Sequence, residues 1–250
     1  MKRKISSIAI LLLILLTVLA YRFSLFTRLA SVLPSRSSTA RVGGDVVAPK
    51  VPFLSSSEQE IIREINLART NPREYASYLE DLKARFKGNN YQRANGMIIT
   101  TSEGIRAVDE AIKFLRSVKP VSPLDVSKGM SLGAKEHVND LGPKGGVGHK
   151  GTDASLVEER VNHFGSYHDA IGETIAYDKG TARDIVTGFI VDDGLPSRSH
   201  RQTIFNSDYH IAGVNCGDHK TLGTMCVVTY AGGFMEGASG TSLKPVATRF

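Results

Sequence analysis

Two histidines and a glutamate in the carboxyl-terminal half of the chain have the side chains and surroundings of a polar site. His149 lies in VGHKG, Glu173 in GETIAY and His200 in SHRQTIFN, so each is bordered by glycine, serine or threonine. Two neutral imidazoles and a carboxylate are a common ligand set for zinc, and they equally suit acid–base chemistry. Because buried polar groups require partners, the same residues also fit a purely structural role as loop-fixing hydrogen bonds.

Other motifs of catalytic sites are missing from the chain. The sequence contains no HExxH pair of zinc ligands on one helix and no GxxxxGK[ST] phosphate-binding loop. Any metal ligands must therefore come from separate segments that the fold brings together.

The two cysteines, Cys216 and Cys226, lie in segments that read as strands joined by DHKTLG. This spacing suits a hairpin, and an even number of cysteines in an exported protein permits a disulfide. The alternative is a pair of free, buried thiols.

The amino terminus predicts export. Met1 is followed by the three basic residues Lys2, Arg3 and Lys4, and residues 8–20 are apolar apart from Thr17. A basic start and a short apolar run are typical of a signal peptide, and a retained membrane anchor is the alternative. The protein is therefore expected to be extracellular or periplasmic, or anchored with its domain outside the cytoplasm.

Charge is unevenly distributed along the chain. Of the 31 basic residues, seven precede Asp45, which leaves 24 basic residues against all 25 acidic ones. The remainder of the chain is thus close to neutral. The high pI of the whole chain, about 9.3, gives no indication of nucleic-acid binding.

Periodicity and turn residues divide the chain into four parts. Residues 1–33 are the signal or anchor, 34–56 a Ser/Pro/Gly-rich linker, 57–236 a folded domain and 237–250 a disordered tail.

Within the domain, helices are predicted where apolar residues recur at helical spacing, and strands where they alternate. Three helix starts are assigned to polar caps: Ser57 with Glu60, Asn71 with Pro72, and Ser155 with Glu158. Further helices are expected over 102–118, 127–141 and 181–191, strands over 170–177, 210–216 and 224–231, and a loop over 87–99. Late strands without βαβ alternation indicate an α+β fold, an antiparallel sheet covered by helices.

Six segments together resemble the CAP superfamily of cysteine-rich secretory, antigen 5 and pathogenesis-related proteins, in its bacterial-type SCP branch. They are INLARTNPREYA, LGAKEHVNDL, GHKG, GETIAY, SHRQTIFN and HIAGVNCG followed by CVVTYAGGF. The resemblance implies a three-layer α–β–α sandwich with a central antiparallel sheet and a cleft. It also implies that His149 and His200 bind a divalent metal, zinc or magnesium, with Glu173 and Asp192 as the acids of the cleft. Asp193 is the competing choice for the second acid.

The resemblance favours a binding protein over an enzyme, because it points to no single reaction. The expected ligands at the His/acid cleft are a metal, a sterol or other small hydrophobic lipid, or a protein partner. Two alternatives stay open. One is a secreted metal-dependent hydrolase with Glu173 as base. The other is a membrane-anchored surface interaction module.

Overall fold

The computed structural model describes residues 51–237. The signal or anchor over 1–33, the linker up to residue 50 and the tail over 238–250 lie outside these described residues. The helices are α1 Ser56–Thr70, α2 Pro72–Lys83, α3 Ile105–Ser117, α4 Lys128–Leu141, α5 Val157–Asn162, α6 Ala182–Val191 and α7 Ser199–Ile204. The strands are β1 Phe86–Lys87, β2 Asn90–Gln92, β3 Ile98–Thr100, β4 Asp125–Val126, β5 Gly165–Ala176, β6 Ile211–His219 and β7 Gly223–Glu236.

The central sheet has four strands in the order β4–β6–β7–β5. β6 and β7 form an antiparallel hairpin, and β5 pairs antiparallel with the other side of β7. The α+β class with an antiparallel central sheet is confirmed, with one addition. The two-residue strand β4 pairs parallel with β6 and makes the sheet mixed at that edge.

Helices cover both faces of this sheet, which gives three layers. Side chains of β7 alternate between the faces, as the period of a strand requires. Met225 and Val227 pack with Ala134 and Val138 of α4 on one face. Cys226, Val228 and Tyr230 pack with α1, α2, α3 and α6 in the larger core on the opposite face.

The first helix begins earlier than the sequence predicts. The capping box is formed by Ser55 and Glu58, whose carboxylate accepts the Ser55 backbone N–H at 2.7 Å. The predicted box at Ser57 and Glu60 is wrong, because Leu54 is buried in the core and fixes the chain before the helix. Residues 51–56, predicted as the end of the linker, are therefore part of the fold.

The predicted start of α2 is confirmed in position, since Asn71 is its N-cap residue and Pro72, whose missing N–H needs no partner there, opens the helix. The Asn71 side chain makes no capping hydrogen bond. The predicted cap of α5 is wrong. At α5 the helix begins two residues later than Ser155, and Glu159 rather than Glu158 accepts the Leu156 N–H at 2.8 Å.

The predicted loop over 87–99 is wrong as well, since it contains β1, β2 and β3 in a small antiparallel sheet. The turn between β2 and β3 contains Gly96 with φ +86°, a conformation that glycine adopts without steric cost. Opposite each other across the β1–β2 pair, the rings of Phe86 and Tyr91 stack with centroids 5.1 Å apart.

The predicted disulfide is confirmed. Cys216 and Cys226 are bonded and lie directly opposite each other across the β6–β7 hairpin. Within residues 51–237, no helix has both the length and the apolar character needed to span a membrane.

Candidate functional site

The first predicted histidine pairs with the predicted glutamate. His149 Nδ1 lies 2.9 Å from Glu173 Oε1. The imidazole comes from the glycine-rich loop after α4 and is half exposed, whereas the Glu173 side chain on β5 is 2% exposed. An ionised carboxylate only accepts hydrogen bonds, so Nδ1 carries the proton in this pair. In the neutral ring, Nε2 then has the free lone pair.

Arg160, which sequence analysis missed, completes this pair. Its Nη2 donates to Glu173 Oε2 at 2.6 Å, and its Nη1 donates to the backbone carbonyls of His149 and Ser155 at 3.1 and 3.0 Å. The Arg160 side chain is 3% exposed, so the buried carboxylate has a buried counter-charge. No periodicity marks Arg160 in the sequence. The only signal is that a carboxylate placed on a buried strand needs a cation nearby.

The loop before His149 is held by side chains that bond to both polar backbone groups of Gly148. His137 on α4 bonds through Nε2 to the Gly148 carbonyl at 2.8 Å, and the Gly148 N–H donates to the Tyr177 hydroxyl at 2.7 Å. His219 Nε2 similarly donates to the Gly146 carbonyl at 2.8 Å. Side chains thus satisfy three polar backbone groups of a loop that belongs to no strand ladder.

Burial lowers the pKa of His137. Glu173 and the hydrogen bond to Gly148 act in the opposite direction, while Arg160 and His149 lower the pKa further. His137 Nδ1 is buried and has no hydrogen-bond partner within the described residues. Because burial favours the neutral ring, His137 acts here as a neutral donor that positions the loop.

The second predicted histidine pairs with the predicted aspartate. His200 Nδ1 lies 2.7 Å from Asp192 Oδ1, and the His200 backbone N–H donates to Asp192 Oδ2 at 2.9 Å. Asp192 ends α6 in the left-handed conformation with φ 55° and ψ 45°, and its side chain is 2% exposed. The ring of Phe189, one turn earlier on α6, packs against the imidazole with centroids 5.3 Å apart. As at His149, Nε2 is the free nitrogen.

Asp193, the competing acid, lies elsewhere. Its carboxylate accepts the backbone N–H groups of Ser102 and Glu103 at 2.6 and 2.8 Å, just before α3. It therefore ties the end of α6 to the start of α3, and within residues 51–237 the hydrogen bonds of His200 go to Asp192 rather than to Asp193.

Two arginines fix the corner between α6 and α7 that presents His200. Arg198 pairs with Glu103 and Glu110, and Arg201 donates to Glu110 at 2.9 Å and to the Val191 carbonyl at 3.1 Å. Hydrogen bonds from Arg198 and from the Gly194 N–H hold the pKa of Glu103 at about 2. The corner thus stays ion-paired across the whole range in which proteins usually work.

The four predicted residues form two histidine–carboxylate pairs. Residues 51–237 contain no group of three or more His, Cys, Asp or Glu side chains arranged to hold a metal ion. The strand that carries Glu173, β5, contacts the helix that carries His200, α7. The Tyr209 hydroxyl, beyond α7, also donates to the Ile171 carbonyl of β5 at 3.0 Å.

One serine in the sequence has the spacing of a nucleophile elbow, Gly-Met-Ser-Leu-Gly over 129–133, but it does not have the geometry of one. Ser131 lies within α4 and is buried, and its hydroxyl donates to the Ser127 carbonyl at 2.7 Å. A nucleophilic serine of that motif sits exposed on a strand-to-helix turn. Ser131 is a packing residue.

Residues 109–230 match the family model described as the cysteine-rich secretory protein family, CAP. No curated protein matches the chain. An outer surface protein of Borrelia burgdorferi is 18% identical, with a TM-score of 0.39 over 58% of this chain and 98% of that one. An extracellular protein containing an SCP domain from Bacillus anthracis strain Ames is 15% identical, with a TM-score of 0.38 over 54% of this chain and 46% of that one. The family match includes both histidine–carboxylate pairs. Residues 51–108 precede it.

Proposed function

The chain belongs to the cysteine-rich secretory protein (CAP) family through residues 109–230, and on that premise we propose that it is a binding domain that works outside the cytoplasm. Its binding centre is the pair of imidazoles, with His149 and His200 holding one divalent cation through Nε2. One observation carries the proposal. In both pairs a buried carboxylate engages Nδ1, and Nε2 makes no hydrogen bond within the described residues.

The carboxylates support this role because each acts, through the imidazole ring, on the Nε2 atom that would bind the cation. A carboxylate that accepts the Nδ1 proton fixes the tautomer, orients the ring and raises the basicity of Nε2. Imidazole nitrogen suits zinc, whereas magnesium prefers oxygen ligands and keeps its waters. The proposed ion is therefore zinc, bound by two protein nitrogens, with its remaining positions open to water or to atoms of a ligand.

The geometry favours binding over hydrolysis. Both oxygens of Glu173 are engaged, one by His149 and the other by Arg160, so this carboxylate is poorly placed to take a proton from water. Catalytic zinc sites usually have three protein ligands, and the described residues supply no such set.

The disulfide and the amino-terminal sequence support a location outside the cytoplasm. Disulfides persist in oxidising compartments, and Cys216–Cys226 is formed. The basic and apolar start of the chain has the character of an export signal.

Zinc titration by calorimetry tests the proposal. We expect the unmodified protein to bind zinc and the His149→Ala/His200→Ala variant to lose that binding. The variant should still unfold in one cooperative thermal transition, at a lower temperature because Glu173 and Asp192 each lose a hydrogen-bond partner. The matched control is His168→Ala/His210→Ala, which removes two exposed imidazoles and should bind zinc like the unmodified protein. Equal zinc affinity in the site variant, or none in the unmodified protein, would contradict the proposal.

A further inference from the structure

The loop after α4 and the turn of the β6–β7 hairpin form an exposed face outside the two histidine–carboxylate pairs. This loop–hairpin face consists of residues 142–150 and 219–223. Val147 in the loop is 64% exposed, and Leu222 in the turn is 45% exposed. Single exposed apolar side chains are common on protein surfaces, so the face is a candidate only if these two belong together.

One imidazole joins the two segments. His219 Nε2 donates to the Gly146 carbonyl at 2.8 Å, and its Nδ1 accepts the Leu222 backbone N–H at 3.1 Å. Both nitrogens of the neutral ring are thus satisfied, one as donor and one as acceptor. Because the residue before Val147 and the backbone of Leu222 bond to the same ring, the two exposed apolar side chains lie on adjoining segments.

The loop side of the face is fixed by further contacts. The Gly148 N–H donates to the Tyr177 hydroxyl at 2.7 Å, and the Gly148 carbonyl bonds to His137. The Tyr177 ring meets the His219 ring edge-on, with centroids 5.2 Å apart. Val147 therefore lies between two glycines whose backbone groups are held by side chains. A surface that is ordered in advance loses less conformational entropy when a partner binds.

The rim of the face is basic. Lys150 directly follows the loop histidine, the Lys179 side chain lies against Gly223, and Lys220 lies beside Gly145. All three lysines are exposed, and none has a carboxylate partner within residues 51–237. The face therefore has an apolar centre with three free cations around it.

The other charged side chains of these segments do not cancel the three cations. Lys144 pairs with Asp140, and Asp178 pairs with Arg93. Asp218 is exposed and forms no ion pair within the described part of the chain. One free carboxylate beside three free ammonium groups leaves the face positive.

We propose that the loop–hairpin face binds an acidic segment of a partner protein. Apolar side chains of that segment pack on Val147 and Leu222, and its carboxylates pair with the three lysines. Charge complementarity selects an acidic occupant, and an apolar centre with a charged rim is the usual anatomy of a protein interface. Two partly exposed aliphatic side chains offer little apolar area for a bilayer, because membrane binding scales with that area.

The test uses fluorescence anisotropy with the labelled, end-blocked peptide SEELDELEES, in the presence of EDTA so that no zinc takes part. We expect the peptide to bind, and its affinity to fall between about 50 and about 300 mM NaCl, because salt screens exposed charges. The peptide SQQLNQLQQS has the same leucines and no carboxylate, and SEESDESEES has the carboxylates and no leucine. Both should bind more weakly.

A lysine variant tests the basic rim. Lys179→Ser/Lys220→Ser should weaken binding of SEELDELEES about fivefold, since each exposed ion pair contributes a factor of about two. The matched control is Lys113→Ser/Lys119→Ser, which removes two exposed, unpaired lysines at α3 and should leave binding unchanged.

A second variant tests the apolar centre. Val147→Ser/Leu222→Ser should weaken binding about tenfold, because the area that the peptide covers is then polar. Met97→Ser/Ile98→Ser changes two exposed apolar side chains elsewhere and should leave binding unchanged. All four substitution pairs alter exposed side chains, so the variants should unfold at temperatures close to that of the unmodified protein.

The proposal is independent of the zinc centre. The His149→Ala/His200→Ala variant should bind SEELDELEES as the unmodified protein does, so failure of zinc binding would leave this inference standing. Three results would overturn it: no binding of SEELDELEES, equal binding of SQQLNQLQQS, or undiminished binding by both variants of the face. Binding to phosphatidylglycerol vesicles without binding to the peptide would also overturn it, and would identify the face as a membrane contact.

Discussion

At the scale of single residues, the site depends on charges that are buried and matched. Glu173 is joined to His149 and Arg160, and Asp192 to His200. Each carboxylate is almost fully enclosed, while the His149 ring that it holds is half exposed. The buried partner fixes the geometry, and the accessible ring carries the Nε2 atom that would bind the proposed zinc ion.

Arg160→Met tests this dependence. Removal of the guanidinium leaves Glu173 buried with one oxygen unpaired, and we expect a loss of about 3–5 kcal/mol in the free energy of unfolding. Urea denaturation at neutral pH measures it. Arg160→Met/Glu173→Gln should recover part of the loss, because the stranded charge is then gone.

The matched control is Arg116→Met, which breaks the ion pair with Glu80 between two exposed side chains and should cost no more than about 1 kcal/mol. A similar small loss in Arg160→Met would show that the buried pair does not need its cation.

His137 gives the loop around His149 a dependence on pH. Its pKa is lowered in the folded protein, chiefly by burial, so the unfolded chain binds a proton more readily. Stability is therefore lost as the pH falls below about 6.5, the ordinary pKa of histidine, towards the lower pKa of the folded state. Above that range the group contributes no pH dependence.

We expect His137→Gln to flatten this part of the profile. Unfolding free energies from urea titrations at about pH 7.5 and about pH 5.5 should fall more in the unmodified protein than in the variant. The protection factor of the Gly148 amide, which corrects for the slower intrinsic exchange in acid, should also fall between these pH values only where His137 is present. Parallel pH profiles in the two proteins would rule out His137 as the group responsible.

At the scale of elements, the sequence predicts those helices and strands whose own residues show a clear apolar period. Val108, Ile112 and Leu115 recur at helical spacing and are all buried in α3. Ile105 belongs to the same pattern but is 38% exposed at the first turn, where the partner helices no longer cover it. Apolar residues alternate clearly in the sequence of the long strands β6 and β7. The pairing of Cys216 with Cys226 was predicted from the hairpin that these strands form.

The sequence did not predict the features that depend on pairing or packing with other parts of the chain. β1, β2 and β3 contain two or three residues each, too few to show a period, and they exist because each pairs with the next. The start of α1 was misplaced because burial of Leu54 selects Ser55 over Ser57, although both serines have a glutamate three residues later. Arg160 was missed for the same reason: its role exists only once β5 places Glu173 beside it.

At the scale of the whole molecule, the boundary of the domain can be tested by truncation. We expect a chain of residues 51–237 to fold and a chain of residues 57–237 to be less stable by about 3 kcal/mol. The shorter chain lacks Leu54, whose burial contributes about 2 kcal/mol, and the Ser55 cap, which contributes about 1 kcal/mol. Urea denaturation compares the two.

The control compares residues 51–237 with residues 51–250, which differ only after β7 and should unfold at similar urea concentrations. Equal stability of the chains that begin at 51 and at 57 would show that the segment before α1 is dispensable.

The two edges of the central sheet have a consequence for how copies of this protein behave at high concentration. Exposed, regular edges invite strands of other chains to add, which is a common route to aggregation. Here β4 offers only two residues at one edge, and at the other the β5–β7 register shifts between His168 and Ile171. Irregular and very short edges are poor templates for a further strand. The sheet therefore resists edge-to-edge aggregation when many copies of the protein are crowded together.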